Sequence, residues 1–390
     1  MLRLLKIPAA GAALLLLALY QISADSGRGN AVWSGREVTG AAAGEQESFR
    51  VVELVSGLSN PWAMAFLPDG SALVTERAGR LHLVDLEEKS VREISGLPDI
   101  AAGGQGGLLD IAVDPEYHRN GWIYFTYSKN YSGGTGTALA RAQLSGTGLV
   151  SVEELFRMNP PGRGGRHFGS RIAFLPDNTI VFSIGDRGAR NRAQDFKDHA
   201  GSIVRLNRDG SIPDDNPFAA DPDVLDELYT LGHRNPQGLA LHPQTGVLWQ
   251  HEHGPRGGDE LNIIEPGNNY GWPEMSQGVE YGSGRAIGRG REAPGMTQPV
   301  EYWTPAIAPS GMAFYFGREF PGWDGNLFIG SLVDTHLLRL VIEEGRVVHQ
   351  ERLLDGTLGR IRDVRLGPDM RLYLLTDESD SGVYRLEPAR

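Results

Sequence analysis

The chain has 390 residues, of which 52 are glycine, 23 are proline and 40% are hydrophobic, a length that can bury a sizeable core in one large domain or two ordinary ones. Its formal net charge of −12 excludes the chain-wide basic field that holds nucleic acid. The absence of cysteine excludes disulfides, thiolate metal sites and a lipid anchor on cysteine.

The first 24 residues have the layout of a secretory signal. Arg3 and Lys6 precede an apolar run over residues 7–20, and residues 23–24 offer a cleavage site. The run is short for a membrane span, so a cleaved signal peptide and an uncleaved N-terminal anchor both stay open, and membrane contact is expected only for the anchor. Either form predicts export, to the periplasm or the medium.

The next segment, residues 25–48, contains glycine, alanine, serine and charged residues without a period. This composition predicts a flexible lead-in, and the folded domain is expected to span residues 49–390.

One phrase recurs six times along that domain: alternating apolar residues, a Pro-Asp-Gly-like turn, and more alternating apolar residues. Examples are "WAMAFLPDGSALVTE" and "SRIAFLPDNTIVFSIG". Each copy predicts a strand, a tight turn and a second strand, and helical periodicity is nearly absent. The copies begin at Trp62, Leu108, Ser170, Gln237, Ser310 and Ile361.

Six such hairpins, spaced about 45 to 75 residues apart, predict an all-β fold, a six-bladed β-propeller with one four-stranded blade per copy. A β-sandwich is the alternative, but it gives no reason for six copies of one hairpin. Unusual polar residues stand just before or after the hairpins. In a propeller, that placement brings them together at one mouth of the central channel.

Two glycine-rich loops precede the second and third hairpins. Gln105 stands among four glycines in "AAGGQGGLLD", which suits close approach of a flat ligand or a plain turn between blades. His167, in "GGRHFGSR", is either a structural hydrogen-bonding group or a general base. The basic neighbours Arg163, Arg166 and Arg171 favour the neutral imidazole, the form that a base requires.

Arginines mark the loops before the fourth and sixth hairpins. Arg234 and Asn235, in "GHRNPQG", form a pair suited to polarising a carbonyl or an anionic ligand, although a salt bridge within the loop is equally consistent. Arg360 and Arg362, in "GRIRDVRL", fall on one side of a strand and suit a ligand with carboxylates; a solvated edge strand is the alternative.

The most polar loop is "HEHGPRGGDELNIIEPGNNYGWP", residues 251–273. Its hard oxygen donors are the carboxylates of Asp259 and Glu260 and the carbonyls of Gly254 and Pro255. Such donors on an irregular backbone suit Ca²⁺. His251 and His253 invite a zinc interpretation, which we disfavour because no third protein ligand lies nearby and oxygen donors dominate.

Seven phrases in order carry a family resemblance over residues 50–388: "GGQGGLLDIAVDP", "GGRHFGSRI", "LGHRNPQG", "HGPRGGDELN", "GNNYGWP", "APSGMAFY" and "GRIRDV". They resemble the soluble quinoprotein glucose/sorbosone dehydrogenase family, and most of all its bacterial aldose sugar dehydrogenase branch. The resemblance implies a six-bladed propeller that binds pyrroloquinoline quinone (PQQ) and Ca²⁺ at the channel mouth and oxidises C1 of aldoses to lactones.

The resemblance also implies roles for individual residues. His167 would take the C1 hydroxyl proton, and Arg234 would stabilise charge on the quinone during hydride transfer. Gln105, Asn235, Arg360 and Arg362 would line the cofactor pocket, the last two on its carboxylates. The carbonyls of Gly254 and Pro255 would hold the Ca²⁺ at the cofactor, and Asp259, Glu260 and Tyr270 match the region of a second, structural Ca²⁺.

One position departs from the family pattern. Val333 stands where many family members have a lysine that contacts the cofactor. Two other functions stay open: a Ca²⁺-dependent propeller hydrolase such as a lactonase, which would explain the oxygen donors, and a non-catalytic binding propeller, for which Val333 is the argument. Without cysteine, the chain has neither a thiolate iron–sulfur cluster nor a C-x-x-C-H haem, so electrons would leave to an external dye, quinone or cytochrome.

Overall fold

The computed structural model describes residues 31–389, so the expected signal or anchor over residues 1–24 lies outside the described residues. Three strands open the described chain: β1 (Val32–Glu37), β2 (Ala42–Ala43) and β3 (Ser48–Leu58). Helical structure in the described range is confined to α1 (Tyr117–Asn120) and two 3₁₀ turns (Arg190–Gln194 and Pro321–Trp323). Among residues 31–389, no helix is both long and apolar enough to cross a bilayer.

The remaining strands form six antiparallel sheets arranged in a ring, which confirms the predicted six-bladed β-propeller. The first blade is β4 (Pro61–Phe66), β5 (Ala72–Glu76), β6 (Arg80–Asp85) and β7 (Ser90–Ile94). The second is β8 (Leu108–Val113), β9 (Trp122–Tyr131), β10 (Gly134–Ser145) and β11 (Gly148–Arg157). The third is β12 (Ile172–Phe174), β13 (Ile180–Ile184), β14 (Ser202–Leu206) and β15 (Leu228–Leu231).

The fourth blade is β16 (Pro236–Leu241), β17 (Leu248–Glu252), β18 (Asp259–Ile264) and β19 (Glu301–Trp303). The fifth is β20 (Pro309–Phe314), β21 (Leu327–Ser331), β22 (Leu337–Glu343) and β23 (Arg346–Leu353). The sixth joins β24 (Ile361–Leu366), β25 (Leu372–Thr376) and β26 (Ser381–Pro388) to β3. Each predicted hairpin supplies the first two strands of one blade, and the first strands pack around the channel.

The hairpin turns explain the recurring Pro-Asp-Gly phrase. The last residue of the phrase adopts left-handed backbone angles, with φ of +86° at Gly70, +68° at Asn178 and +58° at Met370. Glycine and asparagine tolerate this region at little cost, so they place the turn. The second strands β5, β13, β17, β21 and β25 are buried along their whole length because they lie between the inner and outer strands and between neighbouring blades.

The ring closes where the two ends of the domain meet. In the sixth blade β3 pairs with β26, placing Val51 opposite Leu386 and Phe49 opposite Pro388. Phe49 is buried against Trp323 of the fifth blade, with ring centroids 5.5 Å apart. β3 is therefore the fourth strand of the last blade and joins the start of the domain to its C-terminal strand, with β1 on its outer side.

The structure differs from the expected flexible lead-in over residues 25–48. Within that segment β1 and β2 pair with β3, and the domain begins before residue 49. Composition missed these strands because a free sheet edge supplies their hydrogen-bond partners. Only a few apolar side chains, such as Trp33 and Val38, pack against the core.

Closure by β3 gives a stability prediction. We expect Phe49→Ala to lower the free energy of unfolding by about 3–5 kcal/mol, because a large aromatic side chain leaves a cavity at the closing blade. Denaturant unfolding of the variant measures this change. The matched control is Phe196→Ala, whose side chain is 38% exposed, and it should cost clearly less. Equal losses would show that Phe49 carries no special weight in closure.

Candidate active site

A buried ion network joins the inner strands across the channel. The Arg171 guanidinium, only 3% exposed, lies 2.8 Å from the Asp363 carboxylate and 3.3 Å from Asp110, and its Nε donates to the Gln237 carbonyl at 2.7 Å. Arg365 bridges the same two carboxylates, at 2.6 Å from Asp110 and 2.8 Å from Asp363. This network ties the second, third, fourth and sixth blades together.

A cavity of about 260 Å³ opens at the channel mouth, next to this network. Trp62 lines it, and the Arg171 guanidinium packs over the same ring, 4.1 Å from its centroid. Six residues singled out in the sequence line this cavity: Gln105, Asn235, His253, Val333, Arg360 and Arg362. They meet because every first strand begins, and every second strand ends, at the same face of the ring.

His167 is held at this mouth by two hydrogen bonds. Its backbone N–H donates to Gln105 Oε1 at 2.7 Å, and its Nδ1 lies 2.6 Å from Asp186 Oδ1. The residue is 7% exposed and has a φ of +56°, an uncommon backbone region for histidine. Such strain at a buried polar side chain is typical of functional positions.

Asp186 fixes the tautomer of that histidine. Its carboxylate also accepts hydrogen bonds from Trp272 Nε1 at 2.8 Å and from the Gly188 N–H at 2.7 Å. Burial raises the pKa of Asp186, but these bonds and His167 outweigh burial and leave the pKa below its ordinary value. Because the ionised carboxylate only accepts, His167 Nδ1 carries the proton and Nε2 keeps its lone pair.

The environment also keeps the imidazole neutral. Burial lowers the pKa of His167; the bond to Asp186 opposes this, while the charges of Arg234 and Arg166 add to the lowering. The sequence predicted such an effect from Arg163, Arg166 and Arg171. The structure assigns it differently for Arg171, which is neutralised by Asp110 and Asp363.

Arg234 lies in a small cleft that shares the wall residue His253 with the main cavity. Its Nη1 donates to the His253 carbonyl at 3.0 Å, and its backbone N–H donates to Glu252. The guanidinium has no carboxylate at salt-bridge distance among the described residues, so the suggested salt bridge within the loop is not formed. Burial lowers its pKa.

The same cleft, only about 10 Å³ in volume, is lined by Gly254, Pro255, Glu260 and Tyr270, all predicted metal-site residues. That is room for a single ion or water. Burial and then the neighbouring Glu252 raise the pKa of Glu260 well above its ordinary value. A cation would relieve this crowding of carboxylates.

The fifth predicted metal ligand, Asp259, is placed differently. Its two oxygens accept hydrogen bonds from the backbone N–H groups of Gly254 at 2.8 Å and Ala308 at 2.7 Å. The side chain therefore holds the loop backbone in place. The described residues contain no group of three or more histidine and acidic side chains able to hold a metal ion. A Ca²⁺ here would depend on backbone carbonyls.

Arg360 and Arg362 converge on one carboxylate, Asp377, at 3.2 and 2.7 Å, and Arg77 lies 3.6 Å from it. Three guanidinium groups around one carboxylate leave an excess of positive charge on the cavity wall. Together they outweigh burial and hold the pKa of Asp377 below its ordinary value. Arg362 Nε is buried without a hydrogen-bond partner.

The alternative of a solvated edge strand does not hold for these arginines. Arg362 lies in β24, the innermost strand of its blade, and is 6% exposed. Arg360 is more exposed, but its Nη1 donates to the Leu332 carbonyl at 2.9 Å on the cavity wall. Val333, the position of the departure from the family pattern, also lines the cavity and is 60% exposed.

Several residues that shape the site were missed in the sequence, above all Asp186 and Asp377. A repeat-level signal could have revealed them, since an acidic residue recurs at or just after the end of the second strand in four blades. These residues are Glu76, Asp186, Glu252 and Asp377. Each pairs with a histidine or arginine at the channel mouth.

Comparison with known proteins gives the family. The family model described as Glucose / Sorbosone dehydrogenase matches residues 58–385. Aldose sugar dehydrogenase YliI of Escherichia coli is 41% identical over 337 residues, covering 85% of this chain and 91% of the relative.

Solved structures agree with this assignment. A crystal structure of a glucose dehydrogenase is 43% identical with a TM-score of 0.83, covering 86% of this chain and 98% of the other. The PQQ-bound aldose sugar dehydrogenase of Streptomyces coelicolor is 29% identical with a TM-score of 0.72, covering 93% and 98%. The chain therefore belongs to the glucose/sorbosone dehydrogenase family, and is an oxidoreductase.

Proposed function

We propose that the chain is an exported PQQ-dependent dehydrogenase that oxidises the C1 hydroxyl of aldose sugars to lactones. The observation that carries this proposal is the His167–Asp186 pair next to a cavity that is lined by Arg77, Arg360 and Arg362. The relatives named for aldose sugar and PQQ support it. The N-terminal layout supports export, and the lack of cysteine supports an external electron acceptor.

The residues present fit a planar cofactor with several carboxylates. Arg360 and Arg362, with Arg77, supply more positive charge than Asp377 neutralises, and Arg362 Nε has no hydrogen-bond partner. Guanidinium groups bind carboxylates through parallel hydrogen bonds. Trp62 offers an aromatic face on the same cavity.

The same residues define the chemistry. When bound, PQQ would supply the oxidant that accepts hydride from C1 of the sugar. His167 Nε2 takes the C1 hydroxyl proton, and Asp186 holds Nδ1 so that the emerging imidazolium is stabilised. The Arg234 guanidinium would stabilise the negative charge that the hydride carries to the bound cofactor, while the sugar leaves as a neutral lactone.

Calcium has one candidate position, because the cleft has room for a single ion. The Gly254 and Pro255 carbonyls border the cleft beside Arg234, where a Ca²⁺ would act as a Lewis acid toward the cofactor. Glu260 and Tyr270 line the same cleft and would hold the same ion. The Tyr270 hydroxyl already donates to the Ile263 carbonyl at 2.7 Å, so its own backbone carbonyl is the donor that we assign to the metal.

Reconstitution tests the proposal. We expect the purified chain without residues 1–24 to oxidise aldoses with a dye acceptor only after PQQ and Ca²⁺ are added. His167→Ala should lower kcat by roughly 10²–10⁴-fold, because proton removal loses its base, while PQQ absorbance shows normal loading. Failure to take up PQQ would contradict the proposal, and hydrolysis of a lactone panel would then test the hydrolase alternative.

The pH profile tests the role of Asp186. Since the pKa of His167 is lowered, kcat/KM should fall on acidification with a midpoint below about 6.5. Asp186→Asn should move this midpoint further down, because the carboxylate raises the pKa of the imidazole, and should lower kcat through loss of the tautomer. Histidine NMR titration of the same variants checks the assignment. An unchanged midpoint in Asp186→Asn would refute the coupling.

The departure at residue 333 gives a gain-of-function prediction. Val333→Lys should tighten PQQ binding roughly twofold to fivefold, because an ammonium joins a cavity wall that faces cofactor carboxylates at an exposed position. Fluorescence titration measures the dissociation constant. Val348→Lys, a half-exposed valine on the outer strand of the fifth blade, is the matched control and should have no effect. Equal affinity in the Val333→Lys and wild-type proteins would place the cofactor elsewhere.

A further inference from the structure

An open groove of about 580 Å³ lies beside His167, outside the cavity assigned to the cofactor. Four arginines line it, together with glycines and one alanine, and no acidic residue does. Its volume falls in the range of small-molecule sites. The arginines are Arg163, Arg166, Arg187 and Arg192.

The positive charge of this groove is largely uncompensated. Among the described residues, only Arg192 has an acidic partner within salt-bridge distance, with two bonds to Asp198 at 2.6 and 2.8 Å. Arg163 and Arg166 are exposed and form no ion pair in that part of the chain. In a chain with a net charge of −12, such a local excess of arginine attracts anions.

Arg187 shows that the groove is a built feature and not a loose surface. It is 2% exposed, donates to the carbonyls of Gly164 and Arg166, and leaves Nε buried without a partner. Burial and then the charge of Arg192 lower its pKa to about 9. Arg187 therefore fixes the backbone that carries Arg163 and Arg166, and those two exposed arginines are the groups that a ligand would meet.

Two glycines in the wall of the groove leave the space that the arginine side chains occupy. A Cβ at Gly188 would come within 2.5 Å of Arg166 Nε, and a Cβ at Gly162 within 2.7 Å of Arg187 Cβ. At these positions a side chain would displace the arginines that line the groove. Glycine therefore lets both guanidinium-bearing side chains lie against the backbone.

The groove adjoins the proposed catalytic base through Gln105. The Gln105 backbone N–H donates to the Gly165 carbonyl in the groove at 2.8 Å, while its side chain accepts from His167 and lines the main cavity. Arg166 is the immediate neighbour of His167 in the chain. The groove and the main cavity share no lining residue, so a sugar with C1 at His167 would reach the groove only by passing across the Gln105–Gly165 contact.

We propose that this groove binds an anionic group of the sugar, so that the preferred substrates are aldoses carrying a phosphate or carboxylate remote from C1. The inference rests on the proposed function and names its substrate class. The arginines of the main cavity are committed to the cofactor carboxylates, whereas those of the groove face a different anion. Guanidinium groups bind both phosphate and carboxylate oxygens.

The test compares three aldoses with the PQQ-loaded enzyme and a cationic phenazinium dye, which does not compete for the groove. We expect kcat/KM for glucose 6-phosphate or glucuronate to exceed that for glucose, and the advantage to shrink with added salt. Comparing glucose 6-phosphate with glucuronate shows whether the groove prefers a phosphate or a carboxylate. Equal or lower values for both anionic sugars would overturn the inference, while oxidation of glucose would leave the proposed function standing.

Variants locate the effect. Arg163→Gln should reduce the ratio of kcat/KM for the anionic sugar to that for glucose about twofold to fivefold, and Arg163→Gln with Arg166→Gln should reduce it further. The ratio cancels any change in His167 basicity. Arg92→Gln, an exposed arginine on β7, is the matched charge control and should preserve the ratio.

Binding and activity together decide the remaining outcomes. Thermal shift with inorganic phosphate should show stabilisation that Arg163→Gln weakens. Phosphate binding without any preference among the sugars would mean that the groove takes a free anion, which overturns the substrate assignment. Loss of oxidation for every aldose, glucose included, would overturn the proposed function and this inference with it.

Discussion

The architecture of this propeller depends on a buried arginine at the centre of the channel. Arg171 lies between Asp110 and Asp363, and Arg365 completes the network from the sixth blade. Removing one partner would leave a buried charge uncompensated, which is far more costly than the pair is stabilising. The network joins inner strands that are distant in sequence, and the loops at their ends keep their relative positions because the strands do.

Those loops divide the channel mouth into regions of different electrostatic character. On one side the Asp186 carboxylate accepts the hydrogen bond from His167 Nδ1, which leaves the lone pair on Nε2. Burial lowers the pKa of the imidazole, so the ring stays neutral. On another, Arg360 and Arg362 outnumber their shared partner Asp377, so the wall stays cationic. The proposed function needs these two features side by side: a neutral imidazole that would take the proton of a sugar hydroxyl, and a cationic wall that would hold the carboxylates of the cofactor.

Much of this could be predicted from the sequence, because the hairpins are local. Pro-Asp-Gly turns with alternating apolar residues locate two strands in every blade, and His167, Arg360 and Arg362 stand at the ends of those strands. Asp186 and Asp377 were missed because a single carboxylate in a turn has no signature of its own; only its recurrence at the end of the second strand in four blades provides one. The strands β1 and β2 were not predicted for another reason: they are ordered by pairing with the edge strand β3, and their own composition gives no strand signal.

The central claim is that the arginine-rich wall holds the carboxylates of PQQ, and calorimetric titration of PQQ into the Ca²⁺-supplemented protein tests it most directly. The account predicts a single site in the wild type. In Arg362→Gln the affinity should fall roughly 10- to 150-fold, the loss of one charge-assisted hydrogen bond. Arg360→Gln should also weaken binding. Because Arg360 is the more exposed arginine, this variant provides a second test if Arg362→Gln does not fold. Unchanged affinity in both folded variants would contradict the account.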